Sequence, residues 1–224
     1  MSNIIKVGGG GGGSSVIVSK TITQNGTYNA SADSADGYNP VIVNVSGGGV
    51  EYKNYLKFNG YGIVLPWTLN SDYKIEVVFH ETTYLQDSAI IGNTRNETRS
   101  NLTEYNNAYF TSTGTSGSGF GSWSAGEHTF ITNNGNGKNE FDGGEVTDYT
   151  PTTDNSINYS IGWRATAGNA FKGWIKSYKV YSITSGDLLY DLKPALVMDS
   201  PCFYDTIDGK IYSTSLLEAV DTIS

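Results

Sequence analysis

Few side chains in this chain are suited to nucleophilic catalysis. It has two histidines, His80 and His128, and a single cysteine, Cys202. A hydrolytic triad needs a nucleophile, a histidine base and an orienting carboxylate, and the Gly-x-Ser-x-Gly turn of α/β-hydrolases is absent from the sequence. His80 falls on the outward face of a predicted strand, and His128 enters another strand after a turn. We therefore assign both histidines structural or solvated roles and expect no enzymatic activity.

Paired carboxylates would indicate glycoside hydrolysis, because two acids facing one cleft can act as acid and nucleophile or base. Glu76 is flanked by apolar residues and has no acidic residue two positions away. Glu97 and Glu104 lie in sequence typical of loops. These glutamates therefore do not predict glycoside hydrolysis.

Two acidic segments raise the question of calcium. "FDGGEVTDYTPTTDN" contains Asp142, Glu145, Asp148 and Asp154, and "SADSADGY" contains Asp33 and Asp36. Neither segment has the twelve-residue loop spacing that places calcium ligands at alternating positions. Asp and Gly are also ordinary turn residues. We interpret both segments as turns and predict no cofactor, with calcium as the alternative.

Carbohydrate binding needs flat aromatic faces beside amide and carboxylate groups. Aromatic and amide residues in loop-like sequence are Trp67, Tyr105, Asn106, Tyr109, Trp123 and Tyr149. From these we predict a carbohydrate site formed by Tyr105, Asn106, Tyr109, Trp123 and Tyr149. Core packing is the alternative role for each aromatic ring. Arg95, Arg99 and Arg164 could pair with acidic sugars, but exposed arginines are usually only solvated.

The elements that position these residues are predicted to be β-strands. The chain has 28 glycines and 16 tyrosines but only 16% charged residues, a composition of strands and turns. "KIEVVFH" places Ile75, Val77 and Phe79 on one side of a half-buried strand. Further strand-like runs are separated by turns such as "DGG", "SGD" and "DG". The pattern predicts an all-β, two-sheet antiparallel sandwich.

Two later segments carry finer predictions. In "FKGWIKSYKVYS", Ile175 is out of phase with Tyr178 and Val180, so either both faces are covered or a bulge near residues 176–177 resets the alternation. Gly173 would allow a close approach of neighbouring chain. "TSLLEAV" near the end is compatible with a short helix.

Glycine tracts at residues 8–13 and 47–49 suggest domain boundaries, because glycine-rich chain is flexible. We assign an anchor and linker to residues 1–13, a small β module to 14–49 and the main domain to 50–224. The module contains Asn25-Gly26, a dipeptide typical of tight hairpins, and ends in "VIVNV". It is too small to bury much alone, so we expect it to form a homo-oligomer, a trimer, or to dock on a neighbour.

Charge excludes some partners. The net charge is −8, and residues 1–50 contribute nothing to it because two lysines and two aspartates cancel. An acidic body with no basic cluster disfavours nucleic-acid binding. No apolar run is long enough for a signal peptide or a membrane span. One cysteine excludes an intrachain disulfide and a zinc cluster.

Several segments, in order, resemble the concanavalin A-like, laminin-G-like jelly roll. They are "YLKFNGYGIVLP", "YKIEVVFH", "GSWSAGEHTFITN", "KNEFDGGEV" and "AFKGWIKSYKVYS", which together span about residues 51–213. The resemblance implies a jelly-roll domain in which Trp123 matches a structural tryptophan. Glycosidases of this fold carry a Glu-x-Asp-x-x-Glu-type cluster on one strand. The same spacing occurs in "KNEFDGGEV", at Glu140, Asp142 and Glu145, but there the Asp-Gly dipeptide predicts a hairpin turn within the segment.

A narrower resemblance involves "CFYDTIDGKIYS" and "KTITQNGTYNASADSADGYNPVIVNV". These are similar to a closing hairpin and an N-terminal module in virion proteins of bacteriophages and prophages of gut bacteria. The resemblance implies a phage tail, baseplate or fibre protein, with other virion proteins and a bacterial surface glycan as partners. A structural or cement protein without a ligand is the alternative, and a glycan hydrolase is a third hypothesis.

Overall fold

The computed structural model consists of β-strands and their connections, without helix, in the residues that it describes. These are residues 18–22, 41–45, 49–93, 101–105, 107–113, 116–132, 138–148, 154–163, 170–214 and 217–223. The strands in chain order are β1 (Val18–Ile22), β2 (Val41–Val45), β3 (Val50–Tyr52), β4 (Tyr55–Asn59), β5 (Ile63–Leu69), β6 (Tyr73–Glu81), β7 (Ala89–Asn93), β8 (Asn101–Tyr105), β9 (Ala108–Thr113), β10 (Ser116–Ser122), β11 (Gly126–Thr132), β12 (Lys138–Phe141), β13 (Gly144–Asp148), β14 (Asp154–Ile161), β15 (Lys172–Ser182), β16 (Leu188–Val197), β17 (Ser200–Asp205), β18 (Ile211–Tyr212) and β19 (Leu217–Val220).

Two large antiparallel sheets form the body of the protein. The smaller sheet has six strands in the order β10-β9-β8-β7-β14-β5. The larger sheet has eleven strands and follows the order β13-β12-β11-β6-β15-β16-β17-β18, with β3, β4 and β19 paired beside this path. Side chains from both sheets form one continuous hydrophobic core. The predicted all-β sandwich is therefore confirmed.

Strand β6 shows why these residues form a sheet with one buried face. Ile75, Val77 and Phe79 are fully buried, whereas the residues between them are only partly buried. This is the alternation that the sequence predicts, because successive side chains of a strand point to opposite faces.

The phase change in β15 coincides with a bulge, one of the two predicted alternatives. The pairing of β15 with β6 shifts between Ile175 and Ser177, which places a bulge at Lys176. Before the bulge β15 also pairs with β4, and after it with β16, so the larger sheet forks at this strand. A side chain at Gly173 would approach the carbonyl oxygen of His80 to 2.9 Å and collide with the ring of Phe171. The glycine is needed for this close packing.

Strands β1 and β2 form a two-stranded sheet of their own. They pair in parallel, with Val18 opposite Val41. Parallel neighbours cannot be joined by a tight turn, so β1 and β2 do not form a hairpin with each other. Asn25-Gly26 lies outside the described residues. Strand β2 runs beside β18, the last strand along the path of the larger sheet.

The described end of the segment predicted as a possible short helix is strand β19 (Leu217–Val220). It pairs antiparallel with β4, with Leu217 opposite Phe58, and both side chains belong to the core. Leu, Glu and Ala favour helix, but the free energy of this preference is small compared with the free energy gained by burying Leu217 against the sandwich.

A second apolar group lies on the outer face of the larger sheet. It consists of Ala195, Val197, Cys202 and Ile211, which we call the outer cluster. The next residues along β17 and β18, Phe203 and Tyr212, belong to the inner core, so the outer cluster is on the opposite side of the sheet.

No helix among the described residues is long and apolar enough to cross a membrane.

Candidate functional site

The five residues predicted to bind carbohydrate are placed differently by the structure. Tyr109 lies in β9 with its side chain fully buried, and Trp123 follows β10 with its ring partly buried. Tyr105 is the last residue of β8, and its side chain is outside the description. Asn106 and Tyr149 lie outside the described residues. The structure thus brings two of the five together, and it does so around a carboxyl group that the sequence did not single out.

That carboxyl group belongs to Glu81, the last residue of β6. Glu81 continues the inward row of Ile75, Val77 and Phe79 and is 0% exposed. On the opposite sheet, Glu104 of β8 follows the inward Leu102 and is 1% exposed. The two glutamates therefore face each other across the end of the core. The sequence analysis considered only acids close together along the chain and did not predict this pair, whose members lie on different sheets.

The environment of the pair favours a shared proton. Burial, followed by the neighbouring Glu104, raises the pKa of Glu81 far above its usual value, although Trp123 and Tyr109 donate hydrogen bonds that oppose the rise. Burial also raises the pKa of Glu104, and its interaction with Glu81 and the backbone N–H of Leu85 lower it. Oε1 of Glu81 receives no hydrogen bond from a described group. These shifts fit one proton being held by the pair of carboxyl groups.

Two aromatic side chains hold the other oxygen of Glu81. Trp123 donates from Nε1 to Oε2 at 2.9 Å, and the Tyr109 hydroxyl is 3.2 Å from the same oxygen. The Tyr109 hydroxyl is also 3.3 Å from the carbonyl oxygen of Ser124. Because its ring is buried, Tyr109 supports this site from within and presents no face to solvent.

His128 continues the network toward the surface. Its Nδ1 is 2.8 Å from Oδ2 of Asp142, and its Nε2 is 3.1 Å from the carbonyl oxygen of Ser124. Oδ1 of Asp142 accepts a hydrogen bond from the backbone N–H of Thr129 at 2.8 Å. His128 thus ties the β10–β11 connection to the turn between β12 and β13.

The same three residue types, Ser124, His128 and Asp142, occur in hydrolytic triads. Here Nε2 of His128 is closer to the Ser124 carbonyl oxygen than to the hydroxyl, which is 3.4 Å away. A base directed at a carbonyl cannot take the proton from the serine. The geometry fits the structural role that the sequence predicts for His128.

The polar network supports a partly exposed group that we call the aromatic rim, formed by Tyr84, Asn107 and Trp123. The backbone N–H of Trp123 donates to the carbonyl oxygen of Asn107 at 2.8 Å, and the N–H of Asn107 donates to the Tyr84 hydroxyl at 3.1 Å. The rings of Tyr84 and Trp123 meet edge to face, with centroids 5.9 Å apart. Asn107 is exposed and has a positive φ of 58°, which orients the turn between β8 and β9. Tyr84 and Asn107 were missed because neither has a distinctive motif around it.

The remaining candidates have other roles or lie outside the described residues. Trp67 is 5% exposed and stacks on Tyr190 at a centroid distance of 3.9 Å, so it belongs to the core. Glu145 pairs with Lys138 at 2.6 Å. Asp148 and Asp154 lie in described strands, but their side chains are not described. The other acidic and basic candidates lie outside the described residues: Asp33, Asp36, Arg95, Glu97, Arg99 and Arg164.

Among the described residues, no group of three or more His, Cys, Asp or Glu side chains is arranged to hold a metal ion. The chain matches no known family model and no curated protein.

Proposed function

We propose that this chain is a non-enzymatic component of a bacteriophage virion whose sandwich binds a carbohydrate on the bacterial surface. Two kinds of support lead to the proposal. The virion setting rests on the resemblance of the N-terminal segment and of "CFYDTIDGKIYS" to phage modules. The binding activity rests on the geometry of the aromatic rim.

The rigid mounting of Trp123 is the observation that carries the proposal. Its indole N–H bonds to Glu81, its backbone N–H bonds to Asn107, and its ring packs against Tyr84. A partly exposed ring that is already fixed loses little conformational entropy when a sugar stacks on it. The exposed amide of Asn107 beside the ring can hydrogen-bond to sugar hydroxyl groups.

Weak binding is sufficient in this setting. Several copies on one particle would engage a surface together, and linkage of this kind can raise the overall affinity by a factor of about 10² to 10⁴. We expect the copies to associate as a trimer through the N-terminal strand pair, with the other virion proteins as further partners. Light scattering of the full chain would test this, since a monomer contradicts it.

A glycan array probed with the full chain tests the binding activity. We expect specific signal that is lost in Trp123→Ala and kept in Tyr52→Ala, which removes an aromatic ring that is 53% exposed on another strand. Thermal melting checks that each variant is folded. If Trp123→Ala does not fold, Asn107→Gly replaces it, because glycine keeps the positive φ while removing the amide.

Absence of array signal from the folded chain, together with tight retention on virions, would favour the structural alternative. That alternative has one observation in its favour, since both Tyr109 and Trp123 direct their polar atoms inward to Glu81. A glycan hydrolase is the weakest of the three, because Glu81 and Glu104 are almost fully buried. Release of reducing sugar that disappears in Glu81→Gln would revive it.

A further inference from the structure

The outer cluster is buried although it lies on the solvent side of the larger sheet. Its four side chains are 0% to 3% exposed. Val50, Met198 and Tyr204 pack around it but are themselves only partly buried. Isolated apolar side chains on an outer sheet face are normally left accessible, so near-complete burial of four neighbours indicates that another part of the chain covers them.

The position of β2 identifies the covering element. Strand β2 runs beside β18, the strand that carries Ile211 of the outer cluster. The sequence of β2, "VIVNV", alternates so that Val41, Val43 and Val45 share one side. A two-stranded sheet is at best marginally stable by itself, and parallel sheets usually have both faces covered. The β1–β2 pair therefore needs an apolar neighbour as much as the outer cluster does.

The connection between β2 and β3 favours an occupant from the same chain. Only residues 46–49 separate Val45 from Val50, and Val50 itself packs against the outer cluster. Five residue steps of extended chain reach no further than roughly 18 Å. A strand held that close has a high effective concentration at the cluster, so the corresponding strand of a second copy competes poorly.

We propose that β2 docks beside β18 and covers the outer cluster through its valine side. The partner of this surface is the chain's own N-terminal strand pair, and the strand pair and the sandwich then move as one body. Among the described strands β1 pairs only with β2, so its other edge can pair with another copy and the docking is compatible with an oligomer.

Cys202 makes the docking measurable in the full chain. It is the single cysteine, it is 1% exposed, and burial raises the pKa of its thiol, which suppresses its reactivity. The experiment follows the rate at which a thiol-specific reagent such as DTNB modifies the native protein. The urea-unfolded chain gives the rate of a fully accessible thiol.

Val43→Asp and Ile42→Asp form a matched pair of variants. Both place a carboxylate in β2, but on opposite sides of the strand. We expect Val43→Asp to increase the rate of Cys202 modification by roughly tenfold or more. A tenfold increase corresponds to a loss of about 1.4 kcal/mol in the free energy of docking. We expect Ile42→Asp to leave the rate of Cys202 modification near that of the wild-type protein. Tryptophan fluorescence melts should show the sandwich intact in both variants.

Three results would overturn the proposal. An unchanged rate in Val43→Asp would show that β2 does not cover the cluster. An equal increase in both variants would show that the valine side is not the docking side. The third result is that Cys202 of the wild-type protein reacts faster when the protein is diluted. This would show that another copy of the chain covers the cluster.

Discussion

The shared proton of Glu81 and Glu104 predicts that the protein becomes less stable as the pH rises. We consider Glu81→Gln, which keeps an oxygen for Trp123 and Tyr109 and supplies an amide that can donate to Glu104. The variant therefore resembles the protonated pair at every pH. In the wild-type protein, loss of the proton from the pair lowers the free energy of unfolding.

The sign and the size of the effect follow from proton binding in the two states. The pKa of Glu81 is raised from 4.5 in the unfolded chain to about 10 in the folded protein. Between these values the folded state holds a proton that the unfolded state has released, so the free energy of unfolding decreases as the pH rises. One proton corresponds to about 1.4 kcal/mol per pH unit, or at most about 4 kcal/mol between pH 5 and pH 8.

Urea unfolding of both proteins at several pH values between 5 and 8 measures the effect. The difference between the two free energies of unfolding reports the titration of the Glu81–Glu104 pair, because the titrating groups outside the pair are common to both proteins. We expect Glu81→Gln to gain stability relative to the unmodified protein at each step toward pH 8. Glu76→Gln is the control, since it makes the same chemical change on the outward side of β6, where Glu76 pairs with Lys179 at 3.4 Å. A difference that stays constant with pH would refute the shared proton.

Two further predictions concern the sandwich itself. A side chain at Gly92 would collide with the backbone carbonyl of Trp163, so Gly92→Ala should lower the free energy of unfolding in urea melts by roughly 3 kcal/mol or more. Gly144→Ala is the control and should change this free energy little, because the nearest atom to its new methyl group is 3.5 Å away. The Tyr178 hydroxyl is buried without a hydrogen-bond partner among the described residues, so Tyr178→Phe should raise the thermal midpoint, with a gain of about 1 kcal/mol. Tyr109→Phe is its counterpart and should lower the midpoint because it removes the bond to Glu81; equal responses of the two tyrosines would contradict this reasoning.

Local alternation predicted much of the sandwich. The inward row of β6 and the bulge at Lys176 were both readable, because each depends only on the two-residue period of a strand. The parallel pairing of β1 and β2 was not predicted, because two strand-like runs in a sequence do not by themselves determine the direction in which the strands pair. The strand conformation of Leu217 was also hidden, because it depends on a distant partner, Phe58.

The meeting of Glu81 and Glu104 is the part of the candidate site that the sequence did not predict. Glu81 occupies the phase of Ile75, Val77 and Phe79, and Glu104 occupies the phase of Leu102. An acidic residue at an inward position was a usable signal that the search for closely spaced acids passed over. The meeting of the two glutamates depends on how the two sheets stack, which no local pattern encodes. The burial of Tyr109 depends on the same stacking of the two sheets. The sequence could not show this burial, so Tyr109 was predicted to bind carbohydrate.

The fork at β15 has a consequence for how the protein emerges from the ribosome. Strand β4 lies between β15 and β19, so both of its neighbours are made long after it. Pairings so distant along the chain form slowly. Until β19 is available, β4 presents an unsatisfied edge to which other nascent chains can attach. A ribosome that stalls before β19 should therefore release an aggregation-prone product, and a chaperone that shields β4 during translation should increase the yield of native protein.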